Sequence, residues 1–355
     1  MKTIWKELST KTGMFLRKIQ HATGVDVGSR FIKSVMLQTG QSCLTLKGFA
    51  IESVVSRPYD DCRSDRQKGS HLVHLLRDQF NPSPEIVGIS VSGPQVLLKN
   101  LTLPVMTEKD LREHLGLELD RYIPLDVQNV VWDVYRHKAP VLFADEKQEH
   151  SLVVAKKNFI EDRIQQFEHH GMKVRFVDVD ILALVNMVAY NYGDEGTWII
   201  VHLGPAGILS VIMEAGDPVN IRQVSYEAEW YGGLLDRMLL APETSDETYK
   251  IGASETLLLK QFVEETTDQV LEIVKHFSDM SEKAVVSGVL LSGGYSRVEG
   301  LPARLADVLK MSVSLVDPFK KITVPPAMQQ DSRFQKASPL LGVAVGVAIR
   351  GVRAP

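Results

Sequence analysis

Cysteine is nearly missing from this chain. Cys43 and Cys62 are the only two in 355 residues, and neither has a metal-ligand or redox spacing, which excludes a disulfide framework and favours a reducing compartment. Long apolar runs are missing too: no stretch reaches the roughly 18 residues that a membrane span needs. The nearest, Pro339 to Ile349, is short and glycine-rich and reads as a buried core helix. Lys2, Lys6, Lys11, Arg17 and Lys18 precede no apolar h-region, so no secretory signal is expected. Charge of one sign is not in excess: a net charge of −4 offers no basic face for nucleic acid. There is no G-x-S-x-G elbow and no G-x-x-x-x-G-K-[ST] loop. His71/His74 and His169/His170 find no third ligand at a convincing spacing, so they read as surface histidines. Trp132, Trp198 and Trp230 stand alone in or beside apolar strands and read as core.

What is present is a soluble globular composition, 44% hydrophobic and 24% charged, on a chain long enough for two domains with cores of their own. The most informative feature is an internal echo. Residues 25–40 and 201–216 both read as an apolar strand, a glycine turn, a second strand and a closing glycine. Gly28 matches Gly204, and the match continues at Ser34/Ser210, Val35/Val211 and Gly40/Gly216. At Gly28 and Gly204 the backbone is expected to bend sharply and to let something approach closely. Two such hairpins in two halves predict a duplicated domain that holds a ligand between its copies.

Along the chain, residues 1–22 form a basic amphipathic leader with Ile4, Leu8, Phe15 and Ile19 on one helical face, and could lie on an anionic membrane or dock loosely. Strands are expected at Cys43–Val55, Glu85–Ser92 and Gln95–Leu103. Thr107 heads a helix that stops at Arg121-Tyr122-Ile123-Pro124. Val130–Tyr135 and Ser151–Ala155 read as strands around a charged loop, Asp145–His150. Helices at 158–170 and 181–192 end at Gly171 and Gly193, and Asp194–Gly196 reads as the interdomain joint. A charged helical region from about Thr244 to Lys283 precedes Val289-Leu290-Leu291-Ser292-Gly293-Gly294-Tyr295, a buried strand running into a glycine turn. Leu301–Leu309 reads as a helix and Ser312–Val316 as a strand.

Phosphate recognition needs backbone N–H groups on a tight glycine turn, with a cation or metal nearby. Asp26-Val27-Gly28-Ser29 with Lys33 fits: the turn amides and Ser29 can meet phosphate, Asp26 can hold Mg²⁺ through water, and Lys33 supplies charge.

The order Asp26-x-Gly28-Ser29, Leu203-Gly204, Gly232-Gly233 and Leu291-Ser292-Gly293-Gly294 resembles the actin/heat-shock-chaperone/FtsA ATPase superfamily. Within it the chain is most similar to the PilM family of type IV pilus assembly. The likeness covers nearly the whole chain from Thr23 and includes Glu118-Leu119-Asp120-Arg121-Tyr122-Ile123-Pro124-Leu125 followed by Asp133-Val134-Tyr135. The resemblance implies a bilobed actin-like α/β fold, ribonuclease H-like and duplicated. The first lobe would span 23–193 with a small α/β insertion at about 85–175, the second 194–335, and a final helix in 336–355 would pack back on the first lobe. It implies ATP with Mg²⁺ in the cleft, the phosphates between the first turn and Gly204 to Gly207, and adenosine bordered by Gly232, Gly233, Gly293, Gly294 and Tyr295. Glu247 and Lys250 resemble a pair that contacts ribose and adenine.

The chain departs from the pattern at the second turn. His202 stands where hydrolysing relatives carry Asp, and Pro205 and Ala206 stand with Gly207 where hydroxyl residues are usual. Proline removes one N–H from the phosphate cradle, and neutral histidine is a poor substitute for a carboxylate that organises magnesium. In the first turn Arg30 and Phe31 replace small residues, and Arg30 could add charge for phosphate. The resemblance therefore implies an ATP-binding coupler with weak or absent hydrolysis rather than a working ATPase, a sugar-kinase-like phosphotransferase or an FtsA-like filament. Its implied partner is the N-terminal tail of a PilN-like inner-membrane protein, held between the first lobe and the insertion, with Arg121, Tyr122, Ile123 and Pro124 as candidate contacts. That would make the protein cytoplasmic and peripheral at the inner membrane.

Overall fold

A computed structural model describes residues 21–28, 30–40, 43–53, 80, 86–93, 95–137, 147–169, 171–205, 207–224, 234–235, 252–280 and 285–353. Residues 1–20 of the amphipathic leader, Ser29, Ala206, Gly232, Gly233, Glu247 and Lys250 lie outside the described residues, as do Cys62, Trp230 and His71/His74, while His21 and Ala22 belong to the first strand rather than to the leader.

Two five-stranded sheets repeat one topology. The first has the order β3-β2-β1-β4-β8, built from β1 (His21–Val27), β2 (Phe31–Thr39), β3 (Leu44–Ser53), β4 (Ile86–Val91) and β8 (Lys173–Val179). The second has the order β11-β10-β9-β12-β13, from β9 (Thr197–Gly204), β10 (Gly207–Glu214), β11 (Asp217–Val224), β12 (Val286–Ser292) and β13 (Val313–Leu315). In each, three antiparallel strands are followed by two parallel ones. The echo read in the sequence reappears as register: Asp26 pairs with Lys33 as His202 pairs with Leu209, and Ser90 sits beside Asp26 as Ser292 sits beside His202.

Between β4 and β8 the chain leaves the first sheet. It builds a third sheet, order β5-β7-β6, from β5 (Val96–Pro104), β6 (Val130–Arg136) and β7 (Lys147–Lys156), with helices α1 (Glu108–Tyr122) and α2 (Lys157–Glu168). Thr107 caps α1 by accepting the Asp110 N–H at 3.2 Å, and Leu111, Leu115 and Leu119, at helical spacing, bury against Leu101, Leu152 and Val154. The expected charged loop at Asp145–His150 is strand from Lys147 onward. Gln148, Glu149 and His150 are flanked by β5 on one side, and His150 pairs with Arg136 of β6 on the other. Paired backbone on a central strand outweighs their polarity.

Helix α3 (Asp180–Tyr192) and the last helix, α8 (Gly342–Arg353), are apolar on almost every side because they form the layer between the two large sheets. Close approach is built from glycine: a Cβ on Gly346 would lie 1.8 Å from the Ala183 carbonyl, and one on Gly24 would lie 2.2 Å from that of Ala344. Arg350 of α8 pairs with the buried Asp178 of β8 at 2.9 Å and stacks over Phe176. The outer face of the second sheet is covered by α4 (Ala253–Met280) and α5 (Leu301–Leu309), through Phe262, Val270, Leu301 and Leu305. Beyond β13, Thr323 exchanges backbone hydrogen bonds with Leu44 and Leu46 (both 2.9 Å) and covers the outer edge of β3. Short helices α6 (Pro326–Gln329) and α7 (Ser332–Ala337) then lead to α8.

Candidate functional site: a cleft between two hairpin turns

The two hairpins converge on one cavity of about 840 Å³. Asp26, Gly28, Arg30 and Lys33 line it from the first turn, Gly204, Pro205 and Gly207 from the second, and Gly293, Gly294 and Tyr295 from the turn after β12. Residues separated by more than 200 positions in sequence therefore meet in one place. Of the residues singled out in the sequence, every described one from the three turns lies on this cavity.

The turns are built differently. The first hairpin's last pair is Val27 with Ile32, so its loop is open. The second stays paired out to Gly204 with Gly207, leaving only Pro205 and Ala206 between them. The glycines also differ in what demands them. Gly28 is required by close approach, since a Cβ there would lie 2.7 Å from the Phe31 carbonyl. Gly204 needs neither space nor unusual backbone, its nearest neighbour being the His202 ring at 3.7 Å. The expected sharp bend falls instead on Gly207, with φ 126°. Gly293 combines both reasons: φ is 86° and a Cβ would strike the Leu203 carbonyl at 2.2 Å. Tyr295 borders the cavity but is 1% exposed, with its ring edge-on to Phe262.

The first turn carries a matched pair of charges. Cross-strand pairing of Asp26 and Lys33 brings Nζ to 2.5 Å from the carboxylate, so the ammonium is already matched to an acid. A third group, unnoticed in the sequence, joins them. Asp180, the first residue of α3, is buried and lines the cavity with Ser92. Burial, and then the negative charge of Asp26, push its carboxyl up to about 7, against smaller opposing effects of Ser92, Ser90 and Lys33. The available signal was Val177-Asp178-Val179-Asp180, an acid at the junction of an apolar strand and an apolar helix, but only the tertiary arrangement sets it beside Asp26. Across the cleft, His202 is pushed down to about 4, first by burial and then by Lys33, so it is neutral at pH 7. Its Nδ1 lies 3.4 Å from the Ser292 hydroxyl.

These donors suit magnesium bound through water. Asp26 and Asp180 face the cavity beside the first turn, and among the described residues no group of three His, Cys, Asp or Glu side chains could hold a metal ion directly. Oxygen ligands with retained waters are what Mg²⁺ prefers.

The cavity continues sideways into an annex between the first sheet and the third. Phe31, Phe49 and Ile51 form one wall, and Leu98, Phe159 and Arg163 the other. Arg121, Tyr122, Ile123 and Pro124 do not line it. Arg121 pairs with Glu118 at 2.9 Å, the Tyr122 hydroxyl meets His114 at 3.1 Å, Ile123 is buried under α1, and Pro124 is exposed. Tyr122 and Ile123 complete the core of the third sheet.

Known proteins agree with this architecture. A family model described as Type IV pilus assembly protein PilM matches residues 24–352. Among solved structures, the chain is similar to the PilM–PilN type IV pilus biogenesis complex, with a TM-score of 0.78 at 20% identity over 95% of this chain and 100% of that one. It is more distantly similar to the ethanolamine utilization protein EutJ from Carboxydothermus hydrogenoformans, with a TM-score of 0.47 at 15% identity over 93% and 89% of the two chains.

Proposed function

Since this chain belongs to the PilM family of type IV pilus assembly proteins, we propose that it is a nucleotide-binding coupler that takes ATP with Mg²⁺ in its cleft and turns it over slowly or not at all. The observation that carries the reading is the convergence of the Asp26–Lys33 turn, the Gly204–Gly207 turn and the Gly293–Gly294 turn on one cavity. Gly28 lets the first turn close against the Phe31 carbonyl at the cavity's edge, and Lys33 can share its charge between Asp26 and an incoming anion. Asp26 and Asp180 would hold the waters of a bound Mg²⁺, which would screen the phosphate charge. His202, neutral at pH 7, supports slow turnover: it brings no negative charge to the second turn, and Pro205 brings no N–H.

A thermal-shift titration with Mg-ATP tests the ligand. A rise in melting temperature that Asp26→Ala abolishes is expected, and no rise would sink the assignment. Asp180 favours a second reading, an active ATPase or phosphotransferase, because it is a carboxyl beside the phosphate turn that could accept a proton. Steady-state phosphate release separates the two: turnover above about 1 s⁻¹, within the ordinary enzyme range, would overturn the coupler reading.

The partner we propose is the N-terminal tail of a PilN-like inner-membrane protein, lying in the annex. The annex offers aromatic and aliphatic walls at Phe31, Phe49, Ile51, Leu98 and Phe159, with Arg163 as a directional polar group, the combination that peptide grooves use. No helix among the described residues is long and apolar enough to cross a membrane. Binding this tail would hold the protein peripherally at the inner membrane. Titrating the tail peptide against wild type and Phe159→Ala should show micromolar binding that the substitution weakens at least tenfold. Equal affinities would move the peptide elsewhere.

A further inference from the structure

The third sheet's face opposite α1 is divided along the strands. Val96, Ala155 and Val131 lie side by side across β5, β7 and β6, and with Leu98 and Val153 they join the large apolar cluster that runs through the first sheet, α3 and α8 and takes in Val211 and Ile221 of the second sheet. Four residues further along β5 and β7, the same face carries a polar row, Asn100, Ser151 and Tyr135. The Ser151 hydroxyl donates to Asn100 Oδ1 at 3.2 Å, and His137 Nε2 lies 2.9 Å from the same hydroxyl. This row meets the second lobe. Asn100 Nδ2 donates to the Ile221 carbonyl at 2.9 Å, and the Tyr135 hydroxyl donates to Asp217 Oδ1 at 2.7 Å. Both acceptors belong to β11, the edge strand of the second sheet. The turn before Asp217 rests on the joint between the lobes, Ala215 N donating to the Gly196 carbonyl at 3.3 Å. Gly193 and Gly196 hold φ of 90° and 77° there.

The two halves of this face differ physically. Apolar packing against this cluster is lost only by exposing hydrocarbon to water. Hydrogen bonds to an edge strand can be exchanged for hydrogen bonds to water, at small net cost for the Asn100 bond to a carbonyl and at a larger one for the Tyr135 bond to the Asp217 carboxylate. We propose that Asn100 and Tyr135 form a releasable clasp through which the position of the second lobe sets the tilt of the inserted subdomain, and with it the width of the annex. Nucleotide in the cleft and peptide in the annex would then be coupled, a step that rests on the assignments under Proposed function. His137 buttresses the clasp, its ring edge-on to Tyr135 with centroids 5.6 Å apart and the Pro218 backbone beside it.

Spin-label distances in the full chain test this, with Cys43→Ser and Cys62→Ser as background. One label pair, Glu113→Cys on α1 with Lys260→Cys on α4, spans the clasp. A second, Glu113→Cys with Lys173→Cys on β8, spans the apolar contact. All three positions are exposed. Without ligand, Asn100→Ala/Tyr135→Phe should lengthen and broaden the α1–α4 distribution, and Tyr135→Phe alone should do so to a smaller extent, both with unchanged circular dichroism. Adding Mg-ATP should shift the α1–β8 distance when the clasp is intact and leave it unchanged in the double variant. Superimposable ligand-free distributions in all three proteins would overturn the clasp. Absence of any thermal shift with Mg-ATP would overturn the cleft assignment instead, while the ligand-free distances still judge the clasp.

Discussion

At the scale of single residues, the cleft is organised by two buried acids sharing one ammonium. Asp180 has a raised pKa, so the folded protein holds a proton there that the unfolded chain releases above about pH 4. Its favourable contribution is complete below about pH 4 and is lost as pH rises through about 7. Asp180→Asn, which mimics the protonated acid, should match wild type near pH 4 and exceed it at pH 8 by roughly 2–4 kcal/mol. Urea unfolding across that range checks it, and a difference independent of pH would refute the assignment. Lys33→Met removes the counter-charge paired with Asp26. Breaking a buried pair from one side costs about 3–5 kcal/mol. The loss at pH 8 should be of that size, and smaller at pH 5, where Asp180 keeps its proton.

At the scale of elements, the same substitution has opposite signs in two helices. Gly116 lies in α1, where an added Cβ would meet only the Trp132 ring, at 3.9 Å. Gly116→Ala should stabilise by about 0.5–1 kcal/mol through lower backbone entropy in the unfolded chain. Gly346 lies in α8 where a Cβ would overlap the Ala183 carbonyl, so Gly346→Ala must push α3 and α8 apart and should cost more than about 3 kcal/mol. Thermal melts of the two variants, run together, should move in opposite directions. The strand β7 teaches the same lesson about context. Gln148, Glu149 and His150 look like loop residues by composition, yet they lie on a central strand, with His150 paired on both sides.

At the scale of the whole molecule, the lobes are not independent along the chain. Helix α8, from the far end of the sequence, supplies Val343, Ala344 and Val347 to the core of the first sheet, and Thr323 closes that sheet's edge. A fragment of residues 21–192 would leave the α8-facing side of β1 and α3 open to water. It should show no cooperative thermal transition by near-ultraviolet circular dichroism, whereas the full chain should. A sharp transition in the fragment would mean that the first lobe folds without α8.

Much of this was legible in the residues themselves. The repeated strand–glycine–strand pattern at 25–40 and 201–216 announced two hairpins, because turns are local and alternating strands carry their own period. The Thr107 cap and the Leu111/Leu115/Leu119 spacing announced α1 for the same reason. Asp26, Gly28 and Lys33 were readable because their chemistry is encoded within eight consecutive positions. The sequence could not reveal that Asp180 joins them, since that depends on β8 lying two strands from β1 and on α3 starting at the cleft floor. Nor could it reveal that Tyr122 and Ile123 turn inward, that the annex is walled by Phe49 and Phe159, or that Asn100 and Tyr135 reach β11. Those outcomes depend on contacts between elements far apart in the chain, and close packing between sheets and helices, rather than local propensity, selects them.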